Sequence, residues 1–382
     1  MLNAVYQCAL LVVDDAATNR AIIGAQLRRA GFQDLAFAEN GREALEMLET
    51  RVPDLILLDI LMPVLDGFDT CRALRRDPRW ADLPILAMTG LDQPNERAQI
   101  FDVGASDLIL KPIHTAELLA RVTSHLQNRL LIRDLRSFNE RANAELAAAR
   151  QMQQALLPSP ALQIEIASQY DVSIAARFTP STELAGDLWG VWPIDRNSFA
   201  LFALDVVGHG TIAAIDTFRI HTLMSQQKEL LAQPGPFLES LNRRLCPLFA
   251  PGQFATIFLA VLDVNRHELR YAAAGYTSPV LGNPGTNRLL DGSGLPLGIV
   301  DTAQYETRQA LWDRGQALVL YCDALPEARD AAGAMLGESG ARKFCAQAML
   351  EASAECVVAA LERTIQGAAA PHDDLTLICV MR

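Results

Sequence analysis

The sequence predicts a multidomain chain: a doubly wound α/β body over residues 1–125, a long helical linker over 115–157, and an α+β body of two face-to-face sheets flanked by helices over 158–382. Three observations predict it. At the front, five short apolar runs alternate with five helical patterns, as a parallel sheet with helices on both faces requires. Next comes a stretch without Gly or Pro, TAELLARVTSHLQNRLLIRDLRSFNERANAELAAARQMQQALL, from Thr115 to Leu157. Beyond it, alternating β-rich segments are separated by blocks of helix, the pattern of antiparallel sheets packed against each other.

The first residues, MLNAVYQCALLVV, read as a buried strand rather than a signal peptide, because they lack a basic start and a small-residue cleavage site. Strands are expected at Ala9 to Val13, Leu35 to Ala38, Leu55 to Leu58, Ile85 to Met88 and Leu108 to Leu110. Helical patterns follow each: Ala16 to Ala30, Gly41 to Glu49, Gly67 to Arg75, Asn95 to Val103, and the long stretch itself. In such a sheet, functional groups collect beyond the carboxyl ends of the strands. Asp14 and Asp15 stand beyond the first strand, Asp59 beyond the third, Thr89 beyond the fourth, and Lys111 beyond the fifth, just before Pro112. Taken singly, each Asp is an ordinary turn residue; at matching strand ends they read as one site. Three carboxylates in one crevice repel one another unless a divalent cation joins them, and Mg²⁺ suits such hard oxygen donors. A metal, a hydroxyl and an ammonium group around one Asp also stabilise a transferring phosphoryl group.

Through LLVVDD, LILLDILMPVLDGFD, AMTG and LILKP, residues 9–125 resemble response-regulator receiver domains, which are flavodoxin-like. The resemblance implies that Asp59 accepts a phosphoryl group from a histidine kinase, that Asp14 and Asp15 hold Mg²⁺ with it, that Thr89 binds a phosphoryl oxygen, and that Lys111 pairs with the phosphoryl group. Two positions depart from the pattern: Leu108 replaces the usual aromatic switch residue, and Gly90 follows Thr89 where Ala is usual. If Thr89 still moves toward the phosphate, the change passes through the fourth helix and fifth strand into the helix that begins at Thr115.

That stretch is rich in helix formers and places Thr115 two residues before Glu117, so one uninterrupted helix is expected. At about 1.5 Å per residue it extends roughly 60 Å, more than one compact domain needs. It should therefore connect two bodies. Leu131, Leu135, Phe138, Ala142, Ala149, Met152 and Leu156 recur in three-and-four steps, a seam that a second copy can cover as a parallel coiled-coil homodimer. Glu145 interrupts it, and the alternative is a helix folded back onto its own domains.

Beyond LLPSP, strands are expected at Val172 to Phe178, Phe199 to Asp205, Ala255 to Asp263, Glu268 to Ala274, Gln304 to Leu311, Ala317 to Cys322 and Leu375 to Met381. Helices are expected at Ile212 to Leu231, Pro236 to Leu248 and Gly340 to Gln366. Asp187, Asp205, Asp323 and Asp373 stand at strand ends or in turns beside these strands. Such residues are most often turn or cap aspartates. Converging on one cleft, they would instead require cations: two Mn²⁺ or Mg²⁺ ions about 3.5–4 Å apart can activate a shared water for attack on phosphorus without a protein nucleophile. The Gly208–Gly210 segment, GHG, would let backbone approach the ions.

Residues 150–382 resemble the SpoIIE/RsbU type of PPM, or type 2C, serine/threonine phosphatase, through ARQMQQALLP, AARFTPSTELAGDLWG, DVVGHG, FATIFLAVLD, LRYAAAGY, GLPLGIV, LYCDALPEA and HDDLTL. The resemblance implies that Asp205 bridges both metals, helped by the Val206 carbonyl, while Asp187, Asp323 and Asp373 complete the shells and Asp374 supports them from outside. It further implies a phosphorylated STAS-type anti-sigma-factor antagonist as substrate. Several positions depart from the pattern: Ala185 precedes Gly186-Asp187, Gly190 stands where an acidic residue is frequent, Ala324 replaces a Gly after the third Asp, and Tyr276 replaces a His. His209 is a candidate acid for the leaving serine oxygen, since its reference pKa lies near neutrality; a lone His in a turn is otherwise structural or solvated.

A net charge of −12 without any Lys/Arg-rich run argues against nucleic acid, and no apolar run approaches a membrane span. Seven scattered Cys without CxxC spacing suggest neither a disulfide framework nor a zinc site, which fits a reducing cytoplasm. The reading from sequence is thus a response regulator whose Asp59 phosphorylation controls a metal-dependent phosphatase. The alternative is a weak or inactive phosphatase-like adaptor that binds a sigma factor or antagonist under the same control.

Overall fold

The computed structural model describes residues 2–90, 94–208, 210–329, 333–366 and 374–382. The chain divides into two units, Met1–Ala142 and Asn143–Arg382. In the first, α1 (Leu2–Val5) leads into β1 (Leu10–Val13), α2 (Ala17–Ala30), β2 (Leu35–Ala38), α3 (Gly41–Thr50) and β3 (Leu55–Asp59). There follow α4 (Gly67–Arg76), β4 (Ile85–Thr89), α5 (Pro94–Asp102), β5 (Asp107–Leu110) and the 40-residue α6 (Thr115–Gln154), whose final residues belong to the second unit.

The five strands form one parallel sheet in the order β2-β1-β3-β4-β5. Period-two alternation gives each strand two buried faces: Leu10, Val12, Leu55 and Leu57 enter one core, while Leu11, Val13, Ile56 and Leu58 enter the other. Leu118, Val122, Leu126 and Leu130, at four-residue steps along α6, join the first of these cores. The opening residues correct the expectation of a single strand. Val5 and Cys8 are buried as apolar residues should be, but α1 and the turn after it occupy that stretch, and pairing begins only at Leu10, where β2 and β3 flank the chain.

The second unit contains α7 (Pro160–Tyr170), β6 (Ser173–Thr179), β7 (Leu188–Pro193), β8 (Ser198–Val206), α8 (Thr211–Ser225), α9 (Pro234–Leu245), β9 (Ala255–Asp263) and β10 (Glu268–Ala274). Then come β11 (Val280–Gly282), β12 (Asn287–Leu289), β13 (Arg308–Leu311), β14 (Ala317–Tyr321), α10 (Ala324–Glu327), α11 (Gly337–Ala348), α12 (Ala354–Gln366) and β15 (Leu375–Met381). Two antiparallel sheets, β13-β10-β9-β8-β7 and β12-β11-β14-β15-β6, enclose a common core. Along β8, Phe199, Leu201 and Ala203 face that core, while Ala200, Phe202, Leu204 and Val206 turn outward against α8 and α9. Along β15, Ile378 and Val380 face inward, whereas Leu377 and Cys379 pack with α11 and α12. Helices thus cover both outer faces.

Four local features differ from the sequence reading. Pro160–Tyr170 is helical because the Ser159 hydroxyl accepts the Leu162 N–H at 3.2 Å and Pro160 suits a first turn. Leu188–Pro193 is a strand despite Gly190 and Pro193, since it lies at a sheet edge where a missing donor is tolerated. The helix expected over Gly340–Gln366 is two helices, and the Cys356 N–H to Ser353 hydroxyl bond at 3.3 Å marks the restart. The strand expected over Gln304–Leu311 is only the four-residue β13.

Phe199, fully buried, lies 4.8 Å from the Tyr170 ring centroid and 6.4 Å from that of Trp312. Phe199→Ala is expected to cost about 3–5 kcal/mol. Urea denaturation reads this as a lower midpoint for the second unit's transition; an unchanged midpoint would refute the packing assigned to this ring.

Candidate functional site

In the first unit, the strand ends of β1, β3, β4 and β5 assemble one crevice. Asp14 is fully buried, Asp59 nearly so, and Asp15 exposed; one ligand atom from each lies within 4.8 Å of the others. The Lys111 ammonium donates to Asp59 Oδ2 at 2.7 Å and to Asp14 Oδ2 at 3.0 Å, and Asn19 Nδ2 donates to Asp14 Oδ1 at 3.0 Å. Burial pushes the Asp59 carboxyl up, against the pull of Lys111. Thr89 ends β4 and is fully buried. Leu108, at the usual aromatic position, is half-buried and packs on the second core of this unit. The donor set, all oxygen, suits a divalent cation.

In the second unit, Asp187 immediately precedes β7, Asp205 lies in β8, and Asp323 follows β14 as the N-cap residue of α10. Asp373 and His209 lie outside the described residues. Asp187 is only 2% exposed, and its Oδ2 accepts the Thr376 hydroxyl. Burial, then the charge of Asp205, with further contributions from Asp374 and Asp323, pushes the Asp187 carboxyl well above the usual carboxylate range. A divalent cation relieves that repulsion, so the residues present fit one. Among the described residues, only the Asp14, Asp15 and Asp59 group brings three such ligand atoms within 4.8 Å. Asp187, Asp205 and Asp323 are more spread.

Asp374 accepts backbone N–H bonds from Ser181 at 2.7 Å, Gly186 at 2.7 Å and Asp187 at 3.4 Å, and the Ser181 hydroxyl at 2.9 Å. Its carboxylate thereby shapes the loop that presents Asp187. The Val206 carbonyl lies beside the same loop: a Cβ on Gly186 would approach its oxygen to 2.8 Å. Gly208 and Gly210 both adopt positive φ, a backbone conformation that glycine takes at little cost.

The departures from the family pattern acquire structural reasons. A Cβ at Gly190 would meet the Phe202 ring at 2.2 Å, so a carboxylate at this position is incompatible with that ring as placed. Ala324 opens α10, a helical position at which its methyl is tolerated. Tyr276 is 5% exposed, and its hydroxyl has no hydrogen-bond partner among the described residues. Burial, then the charges of Asp187, Cys322, Asp205 and Asp323, raises its pKa well above the usual value, which keeps the hydroxyl protonated. Thr376 and Thr217 were not singled out by the sequence; Thr376 sits two residues after Asp374, the one local signal available.

Stage II sporulation protein E (SpoIIE) matches residues 195–382, and the response regulator receiver domain matches residues 10–123. The chain joins a receiver domain to a SpoIIE-type domain. The receiver domain is 41% identical over 127 residues to "Response regulator PleD" of Caulobacter vibrioides, a match covering 33% of this chain and 28% of that protein. The chain thus spans less than a third of the length of that curated relative. The SpoIIE-type domain shares its fold with the SiaA-PP2C domain of Pseudomonas aeruginosa, at TM-score 0.57 and 17% identity over 64% of this chain and 98% of that one. It also shares the fold of the SpoIIE PP2C phosphatase domain structure from Bacillus subtilis, at TM-score 0.50 and 16% identity over 56% of this chain and 63% of that one.

Proposed function

We propose that this chain is a two-component response regulator in which phosphorylation of Asp59 by a histidine kinase controls a metal-dependent protein serine/threonine phosphatase. The observation that carries the reading is Asp187: a buried carboxylate, hydrogen-bonded by Thr376, on which the strongest charges acting are other carboxylates. Its proposed companions are Asp205 with the Val206 carbonyl, Asp323 and Asp373, supported by Asp374 and with His209 as candidate acid. Two Mn²⁺ or Mg²⁺ ions, when bound, supply an activated water and charge that stabilises the phosphoryl oxygens. The protein's own part is to hold these oxygens in register. Thr376 fixes the Asp187 carboxylate, Asp374 fixes its backbone, and the protonated Tyr276 hydroxyl offers a donor in the same acidic surroundings.

In the receiver domain, Asp14, Asp15 and Asp59 are proposed to hold Mg²⁺, with Thr89 and Lys111 taking phosphoryl oxygens. The proposed substrate is a phosphorylated STAS-type anti-sigma-factor antagonist, and the proposed setting cytoplasmic; no helix among the described residues is long and apolar enough to cross a membrane. The deciding experiment measures Mn²⁺-dependent phosphate release from such a partner, with and without a phosphoryl donor. Donor-sensitive release supports the reading. Binding of the partner without release, under every metal condition, supports the adaptor instead.

A homodimer through α6 belongs to the same proposal. Leu131, Leu135 and Phe138 are 47%, 60% and 62% exposed, whereas a core residue of this size gains roughly 1.5–3 kcal/mol from burial. Leu135→Glu with Phe138→Glu should convert a dimer to a monomer by light scattering, and an unchanged mass would remove the seam argument.

A further inference from the structure

We propose that Gln153 is a positioning residue that ties the last turn of α6 to the loop carrying Asp187. The consequence for catalysis rests on the phosphatase reading above, whereas the contact itself does not. Glutamine on a linker helix is ordinarily solvated, and its neighbours Gln151 and Gln154 are exposed; Gln153 is only 2% exposed. Its amide meets both backbone groups of one residue: Nε2 donates to the Ala185 carbonyl at 2.7 Å, and Oε1 accepts the Ala185 N–H at 3.1 Å.

Ala185 is fully buried, two residues before Asp187. The adjoining peptide groups are held from elsewhere in the domain. Thr217 of α8 donates its hydroxyl to the Gly186 carbonyl at 2.7 Å, and Asp374 accepts the Gly186 N–H at 2.7 Å. Restraint on this loop therefore comes from α8, from the residues at the start of β15, and from α6. The α6 contact comes from the linker helix rather than from the sandwich.

A side-chain amide can satisfy both groups only in one rotational setting of the helix. Adjacent helical residues are separated by about 100° around the axis, so a turn of that size replaces Gln153 by a neighbour and leaves the buried Ala185 N–H and carbonyl without partners. The loop must then rearrange, and Asp187 with it. Rotation or withdrawal of α6 is thereby converted into loss of a metal-ligand position, through two named hydrogen bonds.

The test uses the full chain and two substitutions. Gln153→Met preserves length and approximate volume but makes neither bond; Gln153→Glu keeps the acceptor and loses the donor. Titration calorimetry with Mn²⁺ alone should show weaker binding at the SpoIIE-type domain by about tenfold for Gln153→Met and at least as large a loss for Gln153→Glu, whose second carboxylate oxygen would face the Ala185 carbonyl. Phosphate release at saturating Mn²⁺ should fall by less than the affinity does, a split that general destabilisation does not produce. Hydrogen exchange of the 184–188 amides should accelerate about tenfold in Gln153→Met. Gln154→Met, an exposed neighbour, should shift neither quantity.

Wild-type Mn²⁺ affinity together with wild-type exchange in Gln153→Met would overturn the proposal. If that variant fails to fold, the same two measurements on Gln153→Glu decide it. Should the wild type release no phosphate while the affinity and exchange shifts occur, the phosphatase reading falls and the Gln153 tie stands.

Discussion

Asp205→Asn is expected to reduce Mn²⁺-dependent phosphate release by on the order of a thousandfold or more. Loss of residues that merely orient a metal's ligands already costs about 10–100-fold, and the proposed bridging carboxylate should cost more. Asparagine retains the size of the side chain and removes its charge. Asp205 lies within β8, between β7 and β9, with its backbone paired in register to Thr256, so the substitution should leave the fold intact. Three measurements check it together: phosphate release across a Mn²⁺ titration, calorimetric Mn²⁺ binding, and thermal melting. A variant that melts normally and keeps more than about a tenth of wild-type release would remove Asp205 from the proposed centre.

Asp59→Asn should reduce incorporation of phosphate from a small-molecule phosphodonor to background, and with it any donor-dependent change in phosphatase rate. The two effects are separable. Lys111→Ala leaves the Asp59 acceptor in place but deletes the ammonium that now sits 2.7 Å from Asp59 Oδ2 and 3.0 Å from Asp14 Oδ2. Incorporation without control of the output is therefore expected of it. Moving a two-state equilibrium from 1:99 to 99:1 requires about 5.5 kcal/mol of differential stabilisation, and the Lys111 interaction is one source of it. Radiolabel retention read beside phosphate release distinguishes the variants. Persistent labelling of Asp59→Asn would place the acceptor elsewhere.

Much of the fold was legible because burial imposes a period on sequence. The continuous apolar run from Phe199 to Leu204 marks a strand buried on both faces, and the structure sends its residues alternately to the inter-sheet core and the outer helices. What was missed depends on partners distant in the chain. β7 carries Gly and Pro because its edge position tolerates them, and the edge exists only once the sheet has formed. Gly190 stands where a carboxylate is frequent, and only the fold brings the Phe202 ring into the space a side chain there would take. Gln153 lies within ARQMQQALLP, yet its importance lies in an amide pairing across 32 residues to Ala185, which no helical periodicity encodes. Of the candidate centres, the receiver crevice was the easier to read, because its groups stand at the ends of consecutive strands of one sheet.

β15 carries a kinetic implication. It pairs with β14 on one side and on the other with β6, from Leu375 opposite Thr179 to Met381 opposite Ser173, and within its sheet β6 has β15 as its neighbouring strand. Closing so long a loop is entropically demanding and slow relative to forming hairpins. The step that joins these strands also brings Asp374 and Thr376 to the Asp187 loop. Partly folded chains, even with β8, β9 and β10 already paired, would therefore lack an organised cleft, and the proposed competence to cleave a phosphoester should appear together with completion of folding rather than ahead of it.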